Sequence, residues 1–158
     1  VRVERLKHSN LEVLYEAVPW MTVREPLSDL PDPEKGNGEY HDHQFQPGAR
    51  SYVGHTGSPL DLPAKTLKAG DHGVPGGENM LVKSNGETRY FTVREAARLQ
   101  TFPDAYHFHG AWSETMRQLG NAVPVTLAQV VASSVAEKLI QAEESNLIKV
   151  ARREAKRG

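Results

Sequence analysis

Apolar positions recur at helical spacing through the second half of the chain and are scattered through the first. In "TVREAARLQTFP", Ala96, Ala97 and Leu99 fall on one inner face, and Thr92 and Glu95 have the spacing of a capping box. Pro103 should stop that helix. "SETMRQLG" predicts a second helix, with Ser113 as N-cap and Gly120 at a C-terminal position suited to left-handed geometry. Pro124 suits the first turn of a longer helix reaching about Gln141, with Leu127, Val130, Val131, Val135 and Leu139 on one stripe. The tail "KVARREAKRG" is cationic without a clear apolar face, which predicts a frayed helix end or a disordered extension.

The first half has a different texture. Thr22 and Glu25 cap a short helix that Pro31 and Pro33 should end, and the stretch from Pro31 to Pro63 predicts mostly loop. A short strand around Lys65–Lys68, a glycine-rich loop and a strand near Asn79–Lys83 follow. "SNGE" at Ser84–Glu87 predicts an Asn-Gly hairpin turn with "TRYFTV" returning. The two "TVRE" segments share capping chemistry and little beyond it, so no internal repeat is inferred.

Composition narrows the classes. At 158 residues the chain has room for one modest domain or a piece of one, and its net charge of -1 carries no overall basic excess. Any signal for nucleic acid must be local. No apolar run approaches the roughly 20 residues of a membrane span, and "VRVERLKHSN" lacks the apolar core of a signal peptide, so a soluble intracellular protein is expected. The chain has no cysteine, which removes disulfides, thiolate metal sites and thiol nucleophiles together.

Candidate chemistry is sparse. "HDH" at His41–His43 and "HFH" at His107–His109 lack the cysteines or the i,i+4 spacing of a specific zinc site, and no metal is assigned. "GHTGS" around Ser58 lacks the spacing of a nucleophile elbow. "AGDHGVPGGEN" holds Gly70, Gly73, Gly76 and Gly77, with Lys65 and Lys68 before the loop, His72 inside it, and Arg89 and Arg94 after it. That company suits a nucleic-acid backbone, although a solvated hairpin accounts for the spacing equally well. Asn121 either caps the following helix or, with the amides at that helix start, presents donors to a polar ligand.

"RYFTVREAARLQTFPDAYHFHG" followed by "WSETMRQLGNAVPVTLAQVVASSVAEKL" resembles the ninth and tenth motifs of the cytosine-5 DNA methyltransferases. The upstream "GSPLDLPAKTLKAGDHGVPGGENML" is similar to the end of the target-recognition region of the bacterial enzymes. The resemblance runs from Gly57 to about Leu139 and implies a mixed α/β fold. A small loop-rich β region for target recognition, residues 1–104 with the ninth motif, would precede tenth-motif helices at 105–141 and a basic tail at 142–158. Those helices would pack on a Rossmann-like core that binds S-adenosylmethionine. It implies that Arg94, Glu95 and Arg98 buttress the region, that Thr66, Lys68, His72, Gly73 and Arg94 contact double-stranded DNA, and that Asn121 and Ala122 touch the cofactor.

The family reaction flips cytosine from the duplex and adds a cysteine thiolate to C6 before S-adenosylmethionine methylates C5. This chain lacks that cysteine, the Gly-rich first motif and the Glu-Asn-Val segment. No catalytic residue is therefore assigned, and the chain alone should be inactive. The expected partners are DNA and an N-terminal catalytic domain or subunit, in the bacterial cytoplasm near the nucleoid. Two alternatives stay open: the smaller subunit of a split enzyme, and a non-catalytic DNA-binding specificity module. An unpartnered docking face on the last helix should expose apolar residues and favour self-association.

Overall fold

The computed structural model describes residues 3–4, 15–16, 19–36, 38–69 and 77–155. Strands β1 (Val3–Glu4) and β2 (Tyr15–Glu16) pair antiparallel. Helix α1 (Arg24–Leu27) is followed by loop as far as β3 (Ser58–Pro59). A 3₁₀ turn at Gly77–Asn79 leads into β4 (Met80–Val82) and β5 (Thr88–Tyr90). Helices α2 (Val93–Leu99), α3 (Trp112–Asn121) and α4 (Val125–Glu154) complete the chain. The sheet order is β3-β4-β5, with β3 parallel to β4 and β4 antiparallel to β5. The protein is thus a mixed α/β fold, as its sequence predicts.

One core joins α1, β4, α2 and α3. Val23 just before α1, Leu27 of α1, Leu67, Leu81 of β4, Phe91, Ala96 and Ala97 of α2, and Met116 and Leu119 of α3 are all buried together. Burying each large side chain contributes about 1.5–3 kcal/mol, so Phe91, Met116 and Leu119 do most to fasten α2 and α3 to the sheet. Alanines at 96 and 97 let α2 approach closely on both sides.

Several local expectations change in detail. The Thr92–Glu95 capping box forms in both directions. At α1 only one direction forms: a Glu25 oxygen accepts from the Thr22 backbone N–H at 2.6 Å, while the Val23 and Arg24 amides donate to the Leu62 and Leu60 carbonyls. The strand expected at Lys65–Lys68 forms no ladder, and side chains take two of its amides. Lys65 N–H donates to Ser58 Oγ at 3.0 Å and Lys68 N–H to Asn79 Oδ1 at 3.1 Å. The hairpin turn closes over three residues: Gly86 N–H donates to the Lys83 carbonyl, Lys83 N–H to the Glu87 carbonyl, and Gly86 alone takes positive φ, 85°.

Ser113 is not the N-cap of α3. The N-cap is Ala111, two residues earlier, and the helix starts on Trp112, whose indole N–H donates to the Phe91 carbonyl at 3.0 Å. Gly120 does not end α3 in left-handed geometry either; it lies inside the last turn with an ordinary helical backbone. Helix α4 runs on past Gln141 to Glu154, so the described part of the basic tail is helical.

The stripe of Leu127, Val130, Val131, Val135 and Leu139 does form on α4, and each of these residues is more than half exposed. A stretch of α3 and α4 within residues 112–149 is long and apolar enough for a membrane span by length and composition alone, although no such run is read from the sequence. Core helices pass the same test, and this one has no core around it.

Candidate functional site

The end of α2 is the junction on which the site is built. Gln100 caps α2 through its own N–H to the Ala96 carbonyl, and Thr101 takes φ 58°, left-handed for a β-branched residue. That turn aims three groups at the following helices. Gln100 Nε2 donates to the Leu119 carbonyl at 2.9 Å, the Gln100 carbonyl accepts from Val125 N–H at 3.1 Å, and Thr101 Oγ1 accepts from Thr126 N–H at 2.9 Å. The end of α3 and the start of α4 are therefore held by one two-residue corner.

This settles how Asn121 is used locally. The first amides of α4 are already satisfied by Gln100 and Thr101, so Asn121 does not cap that helix, nor are those amides open to a ligand. Asn121 is exposed at the end of α3, and Ala122 beside it is half-buried, its N–H donating to the Leu119 carbonyl. The side-chain amide of Asn121 is a free donor and acceptor at this corner.

Across from it runs the extended segment that contains Thr66 and Lys68. Ala64 to Leu67 on one side and Leu99, Gln100, Gly120, Ala122 and Pro124 on the other line a cleft of about 310 Å³. Leu67 anchors the segment in the core, while Lys65, Thr66 and Lys68 face solvent. Lys65 Nζ donates to Thr56 Oγ1 at 2.9 Å, and Lys68 Nζ lies 3.0 Å from a Glu78 oxygen that also meets His55 Nδ1 at 3.2 Å. Burial pushes the Glu78 carboxyl up, but Lys68, a backbone N–H and His55 together outweigh it and hold the group below its ordinary value. Glu78 thereby tethers both the Lys68 segment and the turn at Tyr52–His55.

The other expected cations turn inward. Arg89 makes a two-pronged pair with Glu95 at 2.6 and 2.7 Å, both side chains buried, and Glu95 also accepts the Thr92 N–H. Arg94 is fully buried, donating to the carbonyls of His41 (3.1 Å), Pro103 (3.3 Å) and Tyr106 (2.8 Å) and to Asp42 (3.4 Å). The DNA contact expected of Arg94 is corrected accordingly: its guanidinium is spent on the loops around α2 and has no exposed edge for a phosphate. Those bonds tie α2 to the loops at His41–Asp42 and Pro103–Tyr106.

Arg98 buttresses too. It bridges Asp29 and Asp104, donates to the Pro26 carbonyl at 2.9 Å and lies over the Tyr40 ring. Its hydrogen bonds to Asp104 and then to Asp29 raise its own pKa, and it holds the Asp29 carboxyl down to about 2.

The histidines divide in the same way. His43 is buried between Thr92 Oγ1 (2.9 Å) and the Pro31 carbonyl (2.8 Å). A carbonyl only accepts, so Nε2 carries the proton and Nδ1 accepts from the Thr92 hydroxyl. His41 and His107 meet edge to face, 4.5 Å between ring centres. Among the described residues, no three His, Asp or Glu side chains converge as metal ligands would.

The structure therefore brings Thr66 and Lys68 to the same side of the molecule as Asn121 and Ala122, and takes Arg94 away from it. His72 and Gly73 lie outside the described residues. Sequence reasoning missed Gln100, Thr101, Glu78 and Asn79. The left-handed turn at Thr101 and the tethering by Glu78 leave no periodic or capping signature in the chain.

Comparison with known proteins adds a family to this geometry. The family model described as C-5 cytosine-specific DNA methylase matches residues 19–137. The Type II methyltransferase M.SacI of Streptomyces achromogenes is 33% identical over 151 residues, covering 77% of this chain and 39% of its own length. The Type II methyltransferase M.AplI of Arthrospira platensis is 43% identical over 77 residues, 48% of this chain and 22% of its own. The DNA (cytosine-5)-methyltransferase CMT2 of Oryza sativa is 38% identical over 63 residues, 40% of this chain and 5% of its own. The chain thus spans less than two fifths of the length of these relatives.

Proposed function

Because the chain belongs to the C-5 cytosine-specific DNA methylase family, we propose that it reads target DNA and closes the S-adenosylmethionine pocket of a DNA (cytosine-5) methyltransferase. The observation that supports this most is the cleft itself. One wall is Ala64–Leu67, whose exposed Lys65 and Thr66 suit a DNA backbone, and the other includes Gly120, Ala122 and Pro124, with the exposed Asn121 beside them in the chain.

The corner fits one wall of a cofactor site and no more. Asn121 offers a group that both donates and accepts, which suits the zwitterionic amino-acid end of S-adenosylmethionine, and Ala122 keeps the approach open. When bound, that cofactor supplies the electrophilic methyl group. This chain contributes orientation: Gln100 and Thr101 hold the corner, and Leu67 and Asn79 hold the facing edge. The thiolate that activates cytosine must come from the catalytic half, since this sequence has no cysteine. The bare stripe on α4 is the surface we assign to docking on that half, in the bacterial cytoplasm where the substrate DNA lies.

Mixing the chain with the catalytic half of the methyltransferase, labelled S-adenosylmethionine and cytosine-containing duplex should yield label at C5. Neither part alone should transfer it. In that assembly Asn121→Ala should weaken cofactor retention on the order of tenfold and leave DNA affinity nearly unchanged, an effect of about 1.4 kcal/mol. Equal loss of both would assign Asn121 to folding and sink its cofactor role.

A further inference from the structure

Gly120 lies inside the last turn of α3 with no positive φ, so no turn geometry accounts for a glycine there. Within a helix glycine is disfavoured relative to alanine. What requires it is proximity: a Cβ at this position would meet the Lys68 C and O atoms at 2.8 Å and the Ala69 N at 2.9 Å. These are backbone atoms, which yield at greater cost than the far end of a flexible side chain. Leu67 is locked in the core and the Lys68 N–H is tied to Asn79 Oδ1, while on the facing side Leu119 is buried and its carbonyl accepts from Gln100.

The Gly120 end of α3 thus lies close against the Lys68–Ala69 backbone, beside the cleft that Gly120 and Thr66 both line. Thr66 lies two residues before Lys68, and Asn121 is the residue after Gly120. We propose that Gly120 is a positioning residue: it sets the spacing between the DNA-facing edge and the Asn121 corner, so that DNA seated on one wall is felt as cofactor retention at the other. This rests on the methyltransferase reading. A methyl group at residue 120 acts as a wedge, moving the Lys68–Ala69 backbone off the α3 end without removing any side chain assigned to DNA or cofactor.

The test uses the methyltransferase assembled with its catalytic half, labelled S-adenosylmethionine and a duplex library randomised at its centre. Gly120→Ala should raise KM for DNA about tenfold and leave the cofactor Kd without DNA within about twofold. It should also abolish the tightening of cofactor retention that DNA produces in the unsubstituted enzyme. Ser113→Ala, on the exposed side of α3, serves as the unaffected control.

An unchanged KM for DNA overturns the proposal, and so does a parallel loss of both affinities with a collapse in Tm, which would make Gly120 a folding residue only. A measurement on the unsubstituted enzyme avoids reliance on the variant. With alanine methyl groups labelled, Ala69 and Ala122 resonances should shift together as duplex is added, and a shift at Ala69 alone counts against coupling. An unsubstituted assembly that transfers no methyl group defeats the functional reading itself. An active one with an indifferent Gly120→Ala defeats only this inference.

Discussion

Helices α2 and α4 are joined through Gln100 and Thr101, yet they invert the usual relation between residue type and burial. The seven-residue α2 buries Arg94 and Glu95 completely or nearly so, whereas the thirty-residue α4 leaves its valines and leucines in solvent. The difference lies in partners. Every nitrogen of Arg94 that is buried has an acceptor, and Glu95 has Arg89 and the Thr92 amide. Among the described residues, hydrogen bonds from other elements reach α4 at its first turn only. Charge is tolerated inside where its bonds are met, and apolar surface stays outside where nothing is there to cover it.

The most direct way to break the comparison is Arg94→Met. It keeps volume and removes the donors from the His41, Pro103 and Tyr106 carbonyls, and should lower the unfolding free energy by about 3–5 kcal/mol, seen as a lower urea midpoint at an unchanged slope. A loss under about 0.5 kcal/mol would mean that the loops on either side of α2 hold without it.

The comparison sharpens on the other helix. Leu127→Gln, Val131→Gln and Val135→Gln together should leave the urea midpoint of the compact part within about 0.5 kcal/mol. The same triple substitution should reduce affinity for the catalytic half on the order of 100-fold, about 2.7 kcal/mol, and suppress self-association in sedimentation. Loss of stability without loss of association would reverse the roles assigned to the two helices.

The smallest effect concerns Arg98, which stands between them in exposure. Asp29 and Asp104 have folded pKa values below their ordinary 3.8 because Arg98 hydrogen-bonds to both. Their contribution is complete above about pH 4 and fades as pH falls toward about 2, where Asp29 protonates in the folded protein. Asp29 is largely exposed, so solvent screening keeps this below about 1 kcal/mol. Arg98→Gln should flatten Tm against pH over that window, and added salt should do the same in part.

What could be read in the chain follows the range of the forces involved. Local chemistry was legible: the Thr92–Glu95 box, the hairpin between β4 and β5, the buried Ala96 and Ala97, and the apolar stripe on α4 all stand where their patterns put them. Contacts between distant segments were not. Gly120 reads as a helix terminator until the Lys68 backbone is seen against it, and Ser113 reads as a cap until Trp112 is seen anchored on Phe91. Arg94 shows the same limit, because a cation beside a glycine-rich loop suggests phosphate, and only the fold reveals three carbonyls already waiting for it.

The Gln100–Thr101 corner has one mechanical consequence. A helix of thirty residues is about 45 Å long, and this one is fastened at a single end. It behaves as a lever with its fulcrum at two hydrogen bonds. A tilt of about 5° there sweeps the far tip through roughly 4 Å, nearly the diameter of a methyl group. Whatever seats along the shaft therefore fixes the fulcrum's angle with far more leverage than any contact made at the corner itself.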